Sequence, residues 1–193
     1  MEIILALCLG LTLSAASGFR LFLPPFVLSL AANLGNVELS SGFEWVGTSP
    51  TAIALGIATV AEILAYYIPV VDNLLDTIEI PTAVAIGTLL TAANLGDVNP
   101  LLQWSLAAIA GGGSAGIIET FTAMTRVAST GVTAGTGNFL ISTTEALSAG
   151  ILSLLAITLP VLSIALVIGL LIMAAIKIPR LIANRQRQKN KSI

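Results

Sequence analysis

The stretch FLISTTEALSAGILSLLAITLPVLSIALVIGLLIMAAIKI, residues 139–178, holds Glu145 and Lys177 as its only charges. Its ~40 residues would make a helix about 60 Å long, twice the roughly 30 Å of bilayer hydrocarbon. It therefore reads as two membrane segments with a break around Gly150 or Pro160. The run 3–34 also exceeds one crossing and has to break, around Ser17-Gly18-Phe19-Arg20 or Pro24-Pro25. Between them, 51–71, 81–96 and 100–124 are apolar runs near the length of a single segment. No period-2 alternation suggests a barrel, and backbone in lipid must satisfy its own hydrogen bonds. The expected fold is an all-α integral membrane protein, a bundle of about six or seven membrane-inserted helices, some broken or re-entrant. Residues 1–178 form one transmembrane domain and 179–193 a basic tail.

Composition agrees. Of 193 residues, 56% are hydrophobic and 9% charged, against roughly 25% charged in soluble domains; the mean hydropathy is +0.99. There is no histidine, which removes histidine-bound metal, haem ligation and histidine proton relays. The single cysteine, Cys8, allows no disulfide framework and no iron–sulfur site. No nucleotide loop, metal box or nucleophile–base pair is present, so neither a cofactor nor enzyme chemistry is expected, and nucleic acid is no partner. The start Met1-Glu2-Ile3 lacks the basic n-region of a signal peptide.

Charge placement gives the orientation. Lys177, Arg180, Arg185, Arg187, Lys189 and Lys191 crowd the C-terminal end, whereas Arg20 and Arg126 are the only bases before them. Lys and Arg flanking a membrane span stay cytoplasmic, so the tail is expected in the cytoplasm of a bacterial cell and the bundle in its plasma (inner) membrane. Threading back from the tail puts 36–49 and 97–99 outside, and 72–80 and 125–138 on the tail's side.

Helix punctuation marks the ends. Ser49-Pro50 and Asn99-Pro100 place a capping residue before a proline, and Gly35 and Gly96 stand where left-handed C-caps end helices. AANLGNV at 31–37 and AANLGDV at 92–98 suggest an internal repeat, each copy followed by a helix with one acid, Glu62 or Glu119.

Ionisable groups within spans are costly and usually functional. Glu62, Glu119 and Glu145 face only Arg20 and Arg126, so one carboxylate lacks a partner if all five are buried. Such a carboxylate takes up a proton or binds a cation, which makes these three glutamates the candidate titrating groups. Glu119 and Arg126 share a helix face but sit about 10 Å apart along the axis, too far for a direct pair. GGGSAG at 111–116 reads as a helix-packing surface. STGVTAGTGN at 129–138 reads as a backbone break. Together with Ser17-Gly18 before Arg20, it makes Arg20, Arg126, Ser17, Ser129 and Thr130 the candidate anion-binding residues. Asp72, Asp76 and Glu79 lie on one face of an expected amphipathic interfacial helix between Pro69 and Pro81. That face reads as solvated, with weak metal-binding potential. Trp45, Tyr66, Tyr67 and Trp104 fit an interfacial belt.

SGFRLFLPP at 17–25, EILAYYIPVVDNLLDTI at 62–78 and AGGGSAG at 110–116 resemble a bacterial family of small multi-pass membrane proteins catalogued only as a domain of unknown function. The resemblance implies a single membrane domain and supplies no activity. Arg20 and Pro24 also resemble, more faintly, the broken helix of DedA-type lipid-carrier transporters.

The leading expectation is a small secondary transporter or lipid-carrier translocase for an anionic small molecule or lipid phosphate, coupled to protons or a cation. A non-catalytic membrane scaffold, with a dry interior and closed Arg–Glu pairs, is the alternative. An intramembrane lipid-modifying enzyme is a third. The lipid bilayer is the common partner, and the small size suits a homodimer.

Overall fold

A helix that is apolar all round belongs in the middle of a bundle, and α1 (Ile3–Ser17) has this character, IILALCLGLTLSAAS. It is the central helix, with Leu13, Ala15 and Ala16 wholly buried. The computed structural model describes residues 3–66, 68–96, 98–133 and 137–191, and their side chains except at 69–77 and 184–191. Among these residues there is no strand. Six further helices follow: α2 (Leu23–Asn33), α3 (Ser49–Ala65), α4 (Pro69–Asn94), α5 (Pro100–Thr133), α6 (Asn138–Thr158) and α7 (Pro160–Lys191).

Contacts show the helices alternating in direction. α2 runs back along α3, with Asn33 Nδ2 bonded to Ser49 Oγ at one end and the Phe22 N–H to Glu62 at the other. α1 and α4 are likewise antiparallel: Gly10 lies against Thr91 and Asn94, Ser14 Oγ donates to the Gly87 carbonyl, and Leu21 packs with Ala83. α1 and α7 run parallel, joined by Thr12 and Ser163 at 2.9 Å. Loops 34–48 and 95–99 and the turn at Leu159 consequently share one end of the bundle. The C-terminal ends of α3 and α5 and the starts of α4 and α6 lie at the other end, with the C-terminal part of α7.

The long runs break as length demands. The first breaks over residues 18–22, and Pro24-Pro25 then opens α2. The last breaks at Pro160, while Gly150 stays within α6. α1 and α2, with 15 and 11 residues, are about 22 and 16 Å long, too short to cross alone. Leu9 and Leu13 of α1 share a core cluster with Leu28 and Ala31 of α2. The two helices thus form a re-entrant hairpin whose tip, bearing Arg20, turns inside the protein. Helices α5, α6 and α7 each have the length and apolarity to span a membrane.

Several expectations are corrected. Pro81 does not end a helix: α4 runs through it, because the missing N–H of one proline is tolerated where neighbouring helices support the segment. The separate interfacial helix between Pro69 and Pro81 is therefore absent. Gly35 has φ 78° as a left-handed cap requires, but Gly96 is not among the glycines with positive φ, so α4 ends without that cap. Asn99 caps α5 through the Leu101 N–H, whereas the N-cap of α3 is Thr48, one residue before Ser49. The AANLG stretches differ in surroundings: Asn33 is exposed and bonds the next helix, while Asn94 is buried and bonds its own Leu90 carbonyl.

Outward faces are apolar. On α3, Ile53, Ile57, Val60 and Leu64 are exposed while Thr59 and Glu62 turn inward, the inverse of a soluble amphipathic helix. This is a bilayer-facing surface. Trp45 and Trp104 are exposed near the loop end, as a belt requires; Tyr67 lies outside the described residues.

Small residues set the helix spacing. In α5, a π-helical segment at Ala107–Gly112 presses Gly111 and Gly112 onto Gly87, Thr88 and Val84 of α4. At the hairpin tip, a Cβ on Gly18 would lie 2.5 Å from the Ala115 carbonyl and 2.8 Å from Ile118 Cβ. Gly18→Ala is expected to destabilise by about 1–3 kcal/mol, read as a lower melting temperature in detergent. Gly113→Ala, with nothing within 4 Å, is expected to hold or gain up to about 1 kcal/mol. Equal melting of both variants would contradict this packing.

Candidate functional site

The hairpin tip is a short segment of turns: Gly18 and Phe19 N–H groups bond Ala15 and Ala16 carbonyls, and the chain then re-enters a helix. A helix start leaves N–H groups without intrahelical partners, and Pro24-Pro25 contributes none. The free donors are those of Leu21 and Phe22. Glu62 of α3 meets them, its Oε1 2.6 Å from Leu21 N and its Oε2 3.0 Å from Phe22 N. A carboxylate at that position also complements the helix dipole.

Arg20 points into the bundle beside this cap. Its Nη2 donates to the Ser142 carbonyl at 2.8 Å and lies 3.3 Å from Glu145 Oε2. Glu145 in turn accepts from Arg126 Nε through Oε1 at 3.1 Å. Arg126 Nη1 reaches Glu79 Oε2 at 3.2 Å, and Nη2 lies 3.9 Å from Glu119 Oε1. Tyr66, at the C-cap of α3, presents its ring to both guanidiniums, 3.7 Å from Arg20 Cζ and 4.8 Å from Arg126 Cζ. Such stacking favours each cation, while the shared Glu145 offsets their mutual repulsion.

All six charged groups are enclosed. Relative exposure is 2% and 1% for Arg20 and Arg126, and 7%, 1%, 2% and 3% for Glu62, Glu79, Glu119 and Glu145. Among the described residues, four carboxylates thus surround two guanidiniums. Glu62 lies 13 residues into α3, and Glu145 the same distance from the end of α6. Either count places the cluster about 20 Å from the loop end of the bundle. The surface grooves, one of ≈ 610 Å³ between α2 and α3 and one of ≈ 430 Å³ beside α5, are lined by apolar residues and Thr120, and by no member of the cluster.

The sequence singled out Arg20, Arg126, Glu62, Glu119 and Glu145, and the fold brings all five together. Glu119 and Arg126 were expected to be too far apart for a pair. Their contact forms because a helical side chain leans toward the helix N-terminus, so the long Arg126 covers most of two turns. Glu79 and Tyr66 were missed. Glu79 is not on a solvated face but inside the cluster, because α4 continues through Pro81, and it pairs with Arg126. The side chains of Asp72 and Asp76 lie outside those described. The expected anion residues do not assemble around the arginines: Ser17 donates to the Ser14 carbonyl, Ser129 pairs with Thr133, and Thr130 bonds the Arg126 carbonyl and Asn138. Of the expected break at 129–138, residues 134–136 lie outside the description, and α5 is helical to Thr133.

Compared with known proteins, residues 7–180 match the family model described as Domain of unknown function (DUF4126). The chain belongs to that family. No curated protein and no solved structure matches it. Family membership covers the bundle from α1 to the point where α7 turns basic, and with it every member of the charge cluster.

Proposed function

We propose that this protein is a small secondary transporter for an anionic substrate, driven by protons carried on the buried glutamates. The supporting observation is the charge balance among the described residues: four enclosed carboxylates against two guanidiniums. Excess negative charge at that depth is costly unless protons or cations offset it, and a proton load that exchanges with solvent couples naturally to transport. An incoming anion would compete with the glutamates for Arg20 and Arg126. The basic C-terminal helix end would face the cytoplasm.

Proteoliposomes loaded with a pH dye and challenged with inorganic phosphate and a panel of organic anions test this reading. Wild-type vesicles are expected to acidify faster than empty ones for at least one anion. Glu119→Gln is expected to abolish the signal without lowering folded yield. No anion-dependent acidification by the wild type, or equal loss of folded protein and signal, would overturn it.

A membrane scaffold is the second reading, favoured by the closure of Arg20 and Arg126 onto carboxylates. It expects Arg20–Glu145 and Arg126–Glu79 to act as structural ties, with Glu→Gln variants altering melting and no flux in any variant.

A further inference from the structure

Donors are shared unevenly among the four carboxylates. Glu62 accepts from two backbone N–H groups. Glu145 faces both guanidiniums. Among the described residues, Glu79 and Glu119 reach Arg126 alone, at 3.2 and 3.9 Å, and Arg126 also serves Glu145. Each of the two keeps an Oε1 with no hydrogen-bond donor among the described residues, at 1% and 2% exposure. Their carboxylates meet the two terminal nitrogens of one guanidinium, Glu79 at Nη1 and Glu119 at Nη2, and so converge at the α4–α5 interface.

An ionised carboxylate accepts and cannot donate, and two ionised carboxylates in contact repel strongly away from water. One proton between them converts the repulsion into an O–H···O⁻ hydrogen bond, among the shorter and stronger types. The surroundings leave room for one. Among the described residues, the charged or titratable groups around the pair are Arg126 from α5, Glu145 from α6, Arg20 from the hairpin tip, and Glu62 and Tyr66 from α3. Lys177 of α7 is exposed and offers no further cation.

We propose that Glu79 and Glu119 hold a single proton in common, and that this pair is the proton-carrying site of the protein. The shared proton stands on the geometry alone; its role in coupling rests on the transporter reading above. Glu62 is then a cap for α2, and Glu145 a bridge between arginines.

Infrared spectroscopy of the purified protein in lipid nanodiscs at neutral pH tests the assignment. The wild type is expected to show a protonated-carboxyl C=O band that shifts in deuterated buffer. Glu79→Gln and Glu119→Gln are each expected to remove it, and Glu62→Gln to leave it. Absence of the band in the wild type, its persistence in both single variants, or its loss in Glu62→Gln alone would overturn the proposal. Should either variant fail to fold, carboxyl-¹³C-glutamate NMR of the wild type decides instead: a protonated buried carboxyl resonance is expected, and its absence overturns the proposal. Flux in proteoliposomes separates the two claims. The band without flux would leave the pair and remove transport, and flux without the band would do the reverse.

Discussion

Arg126→Met is expected to destabilise the bundle by about 3–5 kcal/mol, the usual effect of removing one partner from a buried ion pair. Here the effect falls at the upper end, because Glu79, Glu119 and Glu145 all converge on that guanidinium. Methionine preserves much of the apolar stem and removes the charge, so the change reports electrostatics more than volume. A loss of that size takes a large share of an ordinary folding free energy. The yield of monodisperse protein should collapse, or its melting temperature fall sharply. Adding Glu79→Gln and Glu119→Gln to the same chain is expected to recover part of the loss, since the charges left without a cation are then gone. Arg126→Lys is expected to fall between, because a compact ammonium lacks the planar fork whose spread nitrogens reach carboxylates on different helices. Wild-type melting of Arg126→Met would show that the arginine does not hold these helices together.

The second large effect is expected at Glu145. Its two oxygens face different arginines, 3.3 Å from Arg20 and 3.1 Å from Arg126, and both cations stack on the ring of Tyr66. Glu145→Leu leaves two guanidiniums close together with no intervening anion. Among the described residues it removes the one carboxylate within ion-pair distance of Arg20. A cost of about 3–5 kcal/mol follows from the stranded charge, and the hairpin tip loses its main tie to α6. Glu145→Gln keeps a carbonyl acceptor and is expected to cost less. Thermal unfolding in a mild detergent should therefore rank wild type above Gln and Gln above Leu. A Leu variant as stable as the Gln variant would mean that the bridge is not electrostatic.

Much of this architecture was legible from apolar run lengths alone. Residues 3–34 and 139–178 had to break, and they do so at glycine and proline positions that the sequence displays. Five of the six charges in the cluster were legible because each stands within an apolar run. Glu79 was not, since its spacing from Asp72 and Asp76 imitates a solvated face and Pro81 imitates a helix start. What decides its place is α4 continuing through the proline, a tertiary effect with no local marker. Tyr66 failed for a related reason: a tyrosine near a span end reads as interfacial until the partner arginines are placed beside it. The hydroxyls grouped with the arginines do not turn toward them because hydroxyls in membrane helices bond preceding carbonyls of their own helix, and Ser17 and Thr130 do so. The closeness of Glu119 and Arg126 was misjudged by measuring along the axis, which ignores side-chain reach.

Everything functional hangs on whether the buried carboxylates exchange protons with the two sides of the membrane. Electrical recording from proteoliposomes adsorbed on a solid support, subjected to rapid pH jumps, measures that charge movement without needing a substrate. A transient displacement current is expected from the wild type and none from the Glu79→Gln/Glu119→Gln double variant folded to the same yield. A wild type as silent as empty vesicles, or a double variant with an undiminished current, would contradict the account.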